Sequence, residues 1–445
     1  MDSRRVVITG LGLVTPIGIG AETVWNALLE GKSGIKRISS FDPSRFASQV
    51  GGQIESLVVA NYVPKAYRKS TKVMARDIEI AVAAAYEAAK DAGLKTKCLI
   101  ERGEAEGPPN VDSTRLGVNI GAGLICADLT ELAGALATAA ETDGQFSITK
   151  WGNEGMTNLT PLWLLKFLPN MLSCHVTIVH DAQAPSNTIT CSEAASHLAI
   201  GEAFRTIARG AADICICGGA ESKLNPMGLM RQQLLNRLST THNDEPETAC
   251  RPFDTSRDGS AISEGGGLLI LEELEHAKKR GARIYAEVVG FGASTNTNSW
   301  SEPHPEGAGI ALAVKKALND AHVTANDVDL LGTFGSGTPA HDLSEARGLQ
   351  AALGNRAKTV PALATKGTFG NNGAGSGAID VAVAVMSLAH NTVPAAVNVK
   401  SVDPQCGLNV VIGKPVDAKI NTVLTVAYAL GGGQNAALVI KRFAE

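Results

Sequence analysis

Residues 422–442 read TVLTVAYALGGGQNAALVIKR. Two runs rich in Val, Leu and Ala, parted by three glycines, describe a strand, a turn and a strand. The same order occurs earlier, as ADICICGGAE at 212–221 and EGGGLLILEELE at 264–275, with a longer connection between them. A Gly- or Ala-rich helical stretch precedes each pair, at 194–210 and 373–390. This is a weak internal repeat. It predicts two similar halves, 1–276 and 277–445, joined near EHAKKRGAR at 275–283.

Working outward, further strand-like runs are RRVVITG, TRLGVNIGAG, SNTITC, GLLILEEL, DVDLLGTF and AALVIK. Ala-rich helical stretches separate many of them: DIEIAVAAAYEAAKDAG, EAASHLAIGEAFRTIARG, GIALAVKKALNDA and GAIDVAVAVMSLAHN. Such alternation predicts an α/β fold with parallel or mixed sheets. The N-terminal VVITGLGLVTPIG superficially resembles a signal peptide, but reads better as a buried strand and turn followed by a helix over AETVWNALLEG. The polar stretch 95–113, KTKCLIERGEAEGPPNVDS, reads as a surface loop.

Composition narrows the function classes. The 445 residues are 44% hydrophobic and 19% charged, enough apolar content for a sizeable core and too much for a disordered chain. A net charge of −4 supplies no basic excess for nucleic acid or an anionic membrane. No uninterrupted apolar run approaches the roughly 18 residues of a membrane span. Cys215 and Cys217 flank one residue of a strand and share a face. The eight cysteines form no CxxC pair, so neither zinc nor another metal is expected. Buried free thiols in a reducing cytoplasm are the expected state.

Several motifs then occur in one order: RRVVITGLGLVTPIG, PNMLSCHVTIVH, IARGAADICICGGAE, ACRPFDTSRDG, SEGGGLLILEELEHAKKRGARIYAEVVGFG, GSGTPAHDLSEA and ALGGGQNAALVI. Together they resemble the β-ketoacyl-acyl-carrier-protein synthases of the KAS I/II type across nearly the whole chain. The resemblance implies the thiolase-like α/β fold, two duplicated halves in five layers, α/β/α/β/α, with two protomers paired across a sheet edge. It also implies a Cys nucleophile at a helix N-terminus and two catalytic His residues.

Carried over position by position, that catalytic set is replaced. The family Cys stands eight residues after a turn Pro and eight before a helix Gly; Pro185 and Gly201 bracket Glu193 at those distances. Cys191 lies two residues earlier and takes the role only if the alignment shifts by two. Phe334 stands for the first His and Asn371 for the second, while Lys366 matches the family lysine. Gly431 stands where the family's gating Phe would be. Thr338 and Leu124 match substrate-side positions, Leu124 reading equally well as an ordinary core leucine. Asp342, Glu345 and Glu264 match positions expected to be structural.

These substitutions change the chemistry. Phe334 has no polar atom, and Asn371 can donate a hydrogen bond but cannot exchange a proton. A carboxylate at position 193 would store an acyl group only as a labile anhydride. Ordinary condensation is therefore expected to be absent. His197, four residues after Glu193, reads as a core or interface histidine, with a Glu–His dyad as the sharper alternative. His341 reads as a solvent-facing loop residue, with approach to the pocket as its alternative; His304 reads as a loop residue.

The resemblance then leads to a non-condensing subunit like the chain-length factors of polyketide and polyene systems, shaping an acyl tunnel. One alternative is an enzyme using Glu193 as acid or base on carrier-bound or coenzyme A thioesters, for decarboxylation, cyclisation or hydrolysis. Another is a divergent synthase acting through Cys191. Implied partners are an acyl carrier protein, an acyl chain, and a second subunit, either a copy of this chain or an active ketosynthase. No cofactor is implied. Lys65, Arg68, Lys69, Lys72 and Arg76 are candidates for docking an acidic carrier protein, or else form a solvated helix face.

Overall fold

The structure is a computed structural model and describes residues 4–444. Its principal strands are β1 (Val6–Thr15), β2 (Leu116–Ala122), β3 (Ser186–Ile189), β4 (Ile214–Ser222), β5 (Ile262–Glu273), β6 (Ala286–Thr295), β7 (Leu330–Gly332), β8 (Pro361–Leu363), β9 (Thr422–Tyr428) and β10 (Gln434–Lys441). The principal helices are α1 (Ala21–Leu29), α2 (Arg76–Asp91), α3 (Ala195–Ala208), α4 (Pro226–Leu234), α5 (Ala308–Asp320), α6 (Pro339–Leu353) and α7 (Ser376–His390).

The strands join one 14-stranded mixed sheet in the order β8-β7-β9-β10-β6-β1-β5-β4-β2-β3. From the antiparallel β1–β6 pair at its centre, the two arms run through the same sequence of pairings. β5 lies antiparallel to β1 as β10 does to β6. β4 is antiparallel to β5 as β9 is to β10. β2 is parallel to β4 as β7 is to β9, and β3 and β8 join the arms in parallel, with a two-residue strand, Asn409–Val410, parallel to β8 at that edge. The internal repeat read from the sequence is therefore a repeat of topology.

Small residues set the layer spacing in both halves alike. A Cβ on Gly10 or Gly12 of β1 would lie 2.4 and 2.0 Å from the carbonyls of Ala88 and Ala84 on α2. On Gly290 and Gly292 of β6 it would lie 2.4 and 2.1 Å from those of Ala317 and Ala313 on α5. Asp91 at the end of α2 accepts the Leu11 N–H at 2.8 Å, and Asp320 at the end of α5 accepts that of Phe291 at 2.9 Å.

Three cores result. α2 covers one outer face, with Ile78 and Val82 against Ile120, Ile216 and Ile270. α5 and α6 cover the other, with Val314 and Leu349 against Leu331, Leu424 and Val439. Between the arms, α3 and α7 share a core with β1, β4, β9 and β10 that includes Cys215 and Cys217, as their shared face predicted. The layers are the expected α/β/α/β/α.

One sequence reading needs correction. The stretch 95–113 is not all surface loop: Lys97–Glu101 is helical and buries Cys98 and Leu99, because those apolar side chains can dock against the α2 layer. One helical stretch, Gly373–His390, is long and apolar enough to cross a membrane by length and composition, although Ser376, Asp380 and Ser387 interrupt its apolar run. It is 89% buried inside the protein, since α7 lies in the middle layer with sheet on both sides.

Candidate functional site

The turn from β3 into α3 holds Glu193. Ser192 adopts φ +51°, in the left-handed region, which swings the chain so that the next side chain points inward. Glu193 is 1% exposed, whereas Cys191 stays half-buried and does not line the adjoining cavity. The Glu193 Oε1 accepts hydrogen bonds from Lys223 Nζ, in an ion pair buried on both sides, and from Asn371 Nδ2 at 3.3 Å. Oε2 accepts from the Ser192 hydroxyl at 2.6 Å and the Leu430 N–H at 3.0 Å. Burial works most strongly against the charge, but the Lys223 ammonium and these hydrogen bonds outweigh it and hold the carboxyl well below the usual range. Glu193 is an anion with both oxygens already engaged.

Leu430 ties this knot to the second half. Its carbonyl accepts from Arg237 Nη2 at 2.6 Å and faces His341 Nε2 at 3.2 Å, while a second carbonyl, that of Ser301, takes Arg237 at 2.8 Å. His341 is therefore not a solvent-facing loop residue. It lies buried in the first turn of α6, with Nδ1 2.9 Å from the Thr338 hydroxyl and its ring stacked on Tyr428. Burial, aided by the Arg237 charge, pushes its pKa down to about 4, so the imidazole is neutral at pH 7. A neutral ring can then accept from Thr338 and donate to Leu430.

Phe334 is fully buried, edge-on to Tyr428 at 5.2 Å between centroids. Lys366 Nζ lies 4.5 Å from the Phe334 ring centroid and is held by both Asp380 oxygens, at 2.7 and 2.6 Å. It is not free to meet a ligand. Glu345 accepts the Phe334 and Gly335 N–H groups, Asp342 accepts those of Phe253 and Gly337, and Glu264 accepts that of Ile54, all holding backbone in place. His197 makes no bond to Glu193; its Nε2 meets the Thr425 hydroxyl at 3.0 Å, and burial pushes its pKa down to about 3. It is a core histidine. His304 caps its own loop, accepting the Glu306 N–H at 3.2 Å.

Two family models cover this chain: "Beta-ketoacyl synthase, N-terminal domain" over residues 3–277 and "Beta-ketoacyl synthase, C-terminal domain" over 285–400. The chain belongs to the β-ketoacyl synthase family. It is 34% identical to the 3-oxoacyl-[acyl-carrier-protein] synthase 2 of Vibrio harveyi over 447 residues, covering 100% of both chains. It is also 34% identical to the Synechocystis protein of the same name, over 443 residues, covering 100% of this chain and 99% of that one. Among solved structures, "The ishigamide ketosynthase/chain length factor" matches with a TM-score of 0.84 at 26% identity, covering 99% of this chain and 100% of that one. A type II PKS acyl-carrier protein in complex with its ketosynthase bound to the hexaketide matches at 0.83 and 27%, with the same coverage.

In this β-ketoacyl synthase family member, a cavity of about 660 Å³ opens beside Glu193. Leu124, 61% exposed, and Gly431 stand on its wall, so Leu124 is not a core leucine; a Cβ on Gly431 would meet nothing within 4 Å. Thr338 is buried behind Leu430 rather than on that wall. Burial pushes the Cys191 thiol pKa up, the opposite of an activated thiolate. Among the described residues, no group of three or more His, Cys, Asp or Glu is placed to hold a metal ion.

Lys65, Arg68, Lys69 and Lys72 are exposed along one 3₁₀ run, Lys65–Val73. Arg76 departs from them. It is half-buried against Glu264, at 2.9 Å, and Glu79, at 3.1 Å, because the α2 N-terminus turns it inward. Sequence reasoning missed Ser192, Lys223 and Arg237. Lys223 had a signal: it follows Glu221 by two positions at a strand end, which puts both on one face.

Proposed function

We propose that this chain is a non-condensing member of its family in fatty acid or polyketide synthesis, a subunit like a chain-length factor that shapes an acyl tunnel. The observation that carries this reading is the state of Glu193. A carboxylate whose two oxygens are saturated by Lys223, Asn371, Ser192 and Leu430 has no lone pair left for an acyl group. Held ionised, it also makes a poor general base and no general acid at neutral pH. Phe334 and Asn371, where the family has histidines, supply no imidazole to stabilise the enolate left when a malonyl unit loses carbon dioxide.

In this reading the cavity walled by Leu124 and Gly431 is the part of the tunnel this subunit supplies. The partner is an active ketosynthase, with a second copy of this chain as the other arrangement. The exposed Lys65, Arg68, Lys69 and Lys72 offer a surface for an acidic acyl carrier protein. The relatives' names support the setting: one solved neighbour is named for a ketosynthase and chain length factor, another for an acyl-carrier protein in complex with its ketosynthase.

Intact-protein mass spectrometry after exposure to acyl-carrier protein and acyl-coenzyme A tests it. No adduct, together with co-purification of a ketosynthase, is the expected result. An acyl adduct mapped to Cys191 or Glu193 would overturn it. A turnover activity that Glu193→Gln abolishes would move the conclusion to acid–base chemistry.

A further inference from the structure

Helix α4 brings two unspent donors into the cavity beside Glu193. It starts on a Pro after an Asn225 cap that accepts the Gly228 N–H at 2.7 Å, which fixes its direction along the cavity wall. Arg231 and Gln232, on its last turns, both line the cavity. Gln232 is only 8% exposed, and its side-chain amide makes no hydrogen bond to the described residues. Arg231 is half-buried and, among the described residues, has neither an ion-pair partner within 4 Å nor a side-chain hydrogen bond.

The other charges of this wall are occupied. Lys223 is paired with Glu193, and Arg237 is spent on the carbonyls of Leu430 and Ser301. The remaining acid, Glu221, accepts the Ala374 N–H at 2.6 Å and does not reach Arg231. Three cations thus face two carboxylates; neither guanidinium has an ion-pair partner within 4 Å, and of the two only Arg231 also lacks a hydrogen bond among the described residues. Apart from Thr190 and Ser192, the rest of the wall is apolar, with Leu124, Leu234 and Leu235 on it. A half-buried guanidinium and a nearly buried amide, side by side and unpartnered, make a donor site for an anionic oxygen group.

We propose that this cavity receives an acyl chain that itself bears a carboxylate, held by Arg231 with Gln232 as second donor while the leucines take up the methylenes. The inference rests on the cavity being an acyl site, as proposed above, and names the class of chain it selects. The same donor chemistry would fit the phosphate of a pantetheine arm. The carboxylate is favoured because Gln232 is almost sealed from solvent, where a fully solvated phosphate would lose most of its hydration.

The test compares three ligands by calorimetric titration of the full-length protein: octanoyl-pantetheine, its ω-carboxylated counterpart suberyl-pantetheine, and octanoyl-phosphopantetheine. The carboxylated chain should bind about tenfold or more tightly than octanoyl-pantetheine. Arg231→Met should erase that preference, the two pantetheines then binding alike, and Arg231→Lys should keep part of it. Equal binding of the two pantetheines overturns the proposal. So does an Arg231-dependent gain confined to the phosphorylated ligand, which would make this a phosphate site. If none of the three binds, the acyl-site reading itself fails and this inference with it, an outcome distinct from loss of the carboxylate preference alone.

Discussion

Glu193 carries its charge where burial alone would remove it, and Lys223 is the reason it can. The pair is sealed, with side chains 1% and 3% exposed, so each charge depends on the other. Lys223→Met should cost about 3–5 kcal/mol, the price of an uncompensated buried charge. The doubly neutral Glu193→Gln/Lys223→Met variant should recover much of that loss in denaturant unfolding. A Lys223→Met protein as stable as the parent would mean that the pair does not hold the charge. The sign of the acid response follows as well. With its pKa depressed in the fold, Glu193 contributes stability that is full above its unfolded value near 4.3 and is lost as pH falls below that. Position 193 was legible because Pro185 and Gly201 bracket it. Its partner is 30 positions away, and no local pattern announces a contact of that length.

The elements that carry the site were legible wherever a period could be counted. α2, α3, α5 and α7 stand where their Ala-rich stretches predicted them, and the glycines of β1 and β6 mark where helices cross closely. DVDLLGTF, by contrast, yields only the short β7, because from Thr333 onward the backbone is drawn off by Leu363 and Glu345. α3 and α7 cross closely in the middle layer. A Cβ on Gly377 would sit 2.5 Å from His197 Nδ1 and 2.8 Å from Ser196 Oγ, both on a buried helix with little room to move. Gly377→Ala should therefore lower stability by about 1–3 kcal/mol of overpacking, read by calorimetry. Gly152→Ala, where a Cβ meets nothing within 4 Å, should be neutral or slightly stabilising. Equal melting temperatures for the two variants would refute the close packing.

Across the whole molecule, the buried acids give stability a pH dependence that the net charge does not suggest. Asp77, at the start of α2, is 3% exposed and accepts one N–H, from Ser222 at 3.0 Å. Burial first, and then the nearby Glu221, push its pKa up to about 8. The folded protein thus keeps a proton that the unfolded chain releases near pH 4. Between about pH 4 and 8 this group lowers stability as pH rises, by up to about 1.4 kcal/mol per pH unit. Asp77→Asn, which can still accept the Ser222 N–H, should be close to the parent at pH 4 and clearly more stable at pH 8. The same melting difference at both pH values would show Asp77 to be ionised in the fold.

By itself the sequence determined the α/β class, the doubled plan, and most of the strands and the Ala-rich helices of both arms. Each of these is written in local periodicity, in glycine placement, or in spacing along one stretch of chain. Only the tertiary structure decided that Lys223 neutralises Glu193, that Arg237 and His341 meet on Leu430, that His197 turns away, and that Arg231 is left without a counter-ion. Those outcomes depend on which distant side chains the folded sheet brings within hydrogen-bond reach. They also depend on burial, which makes an ion pair obligatory at one position and leaves a charge unmatched a few ångströms along the same wall.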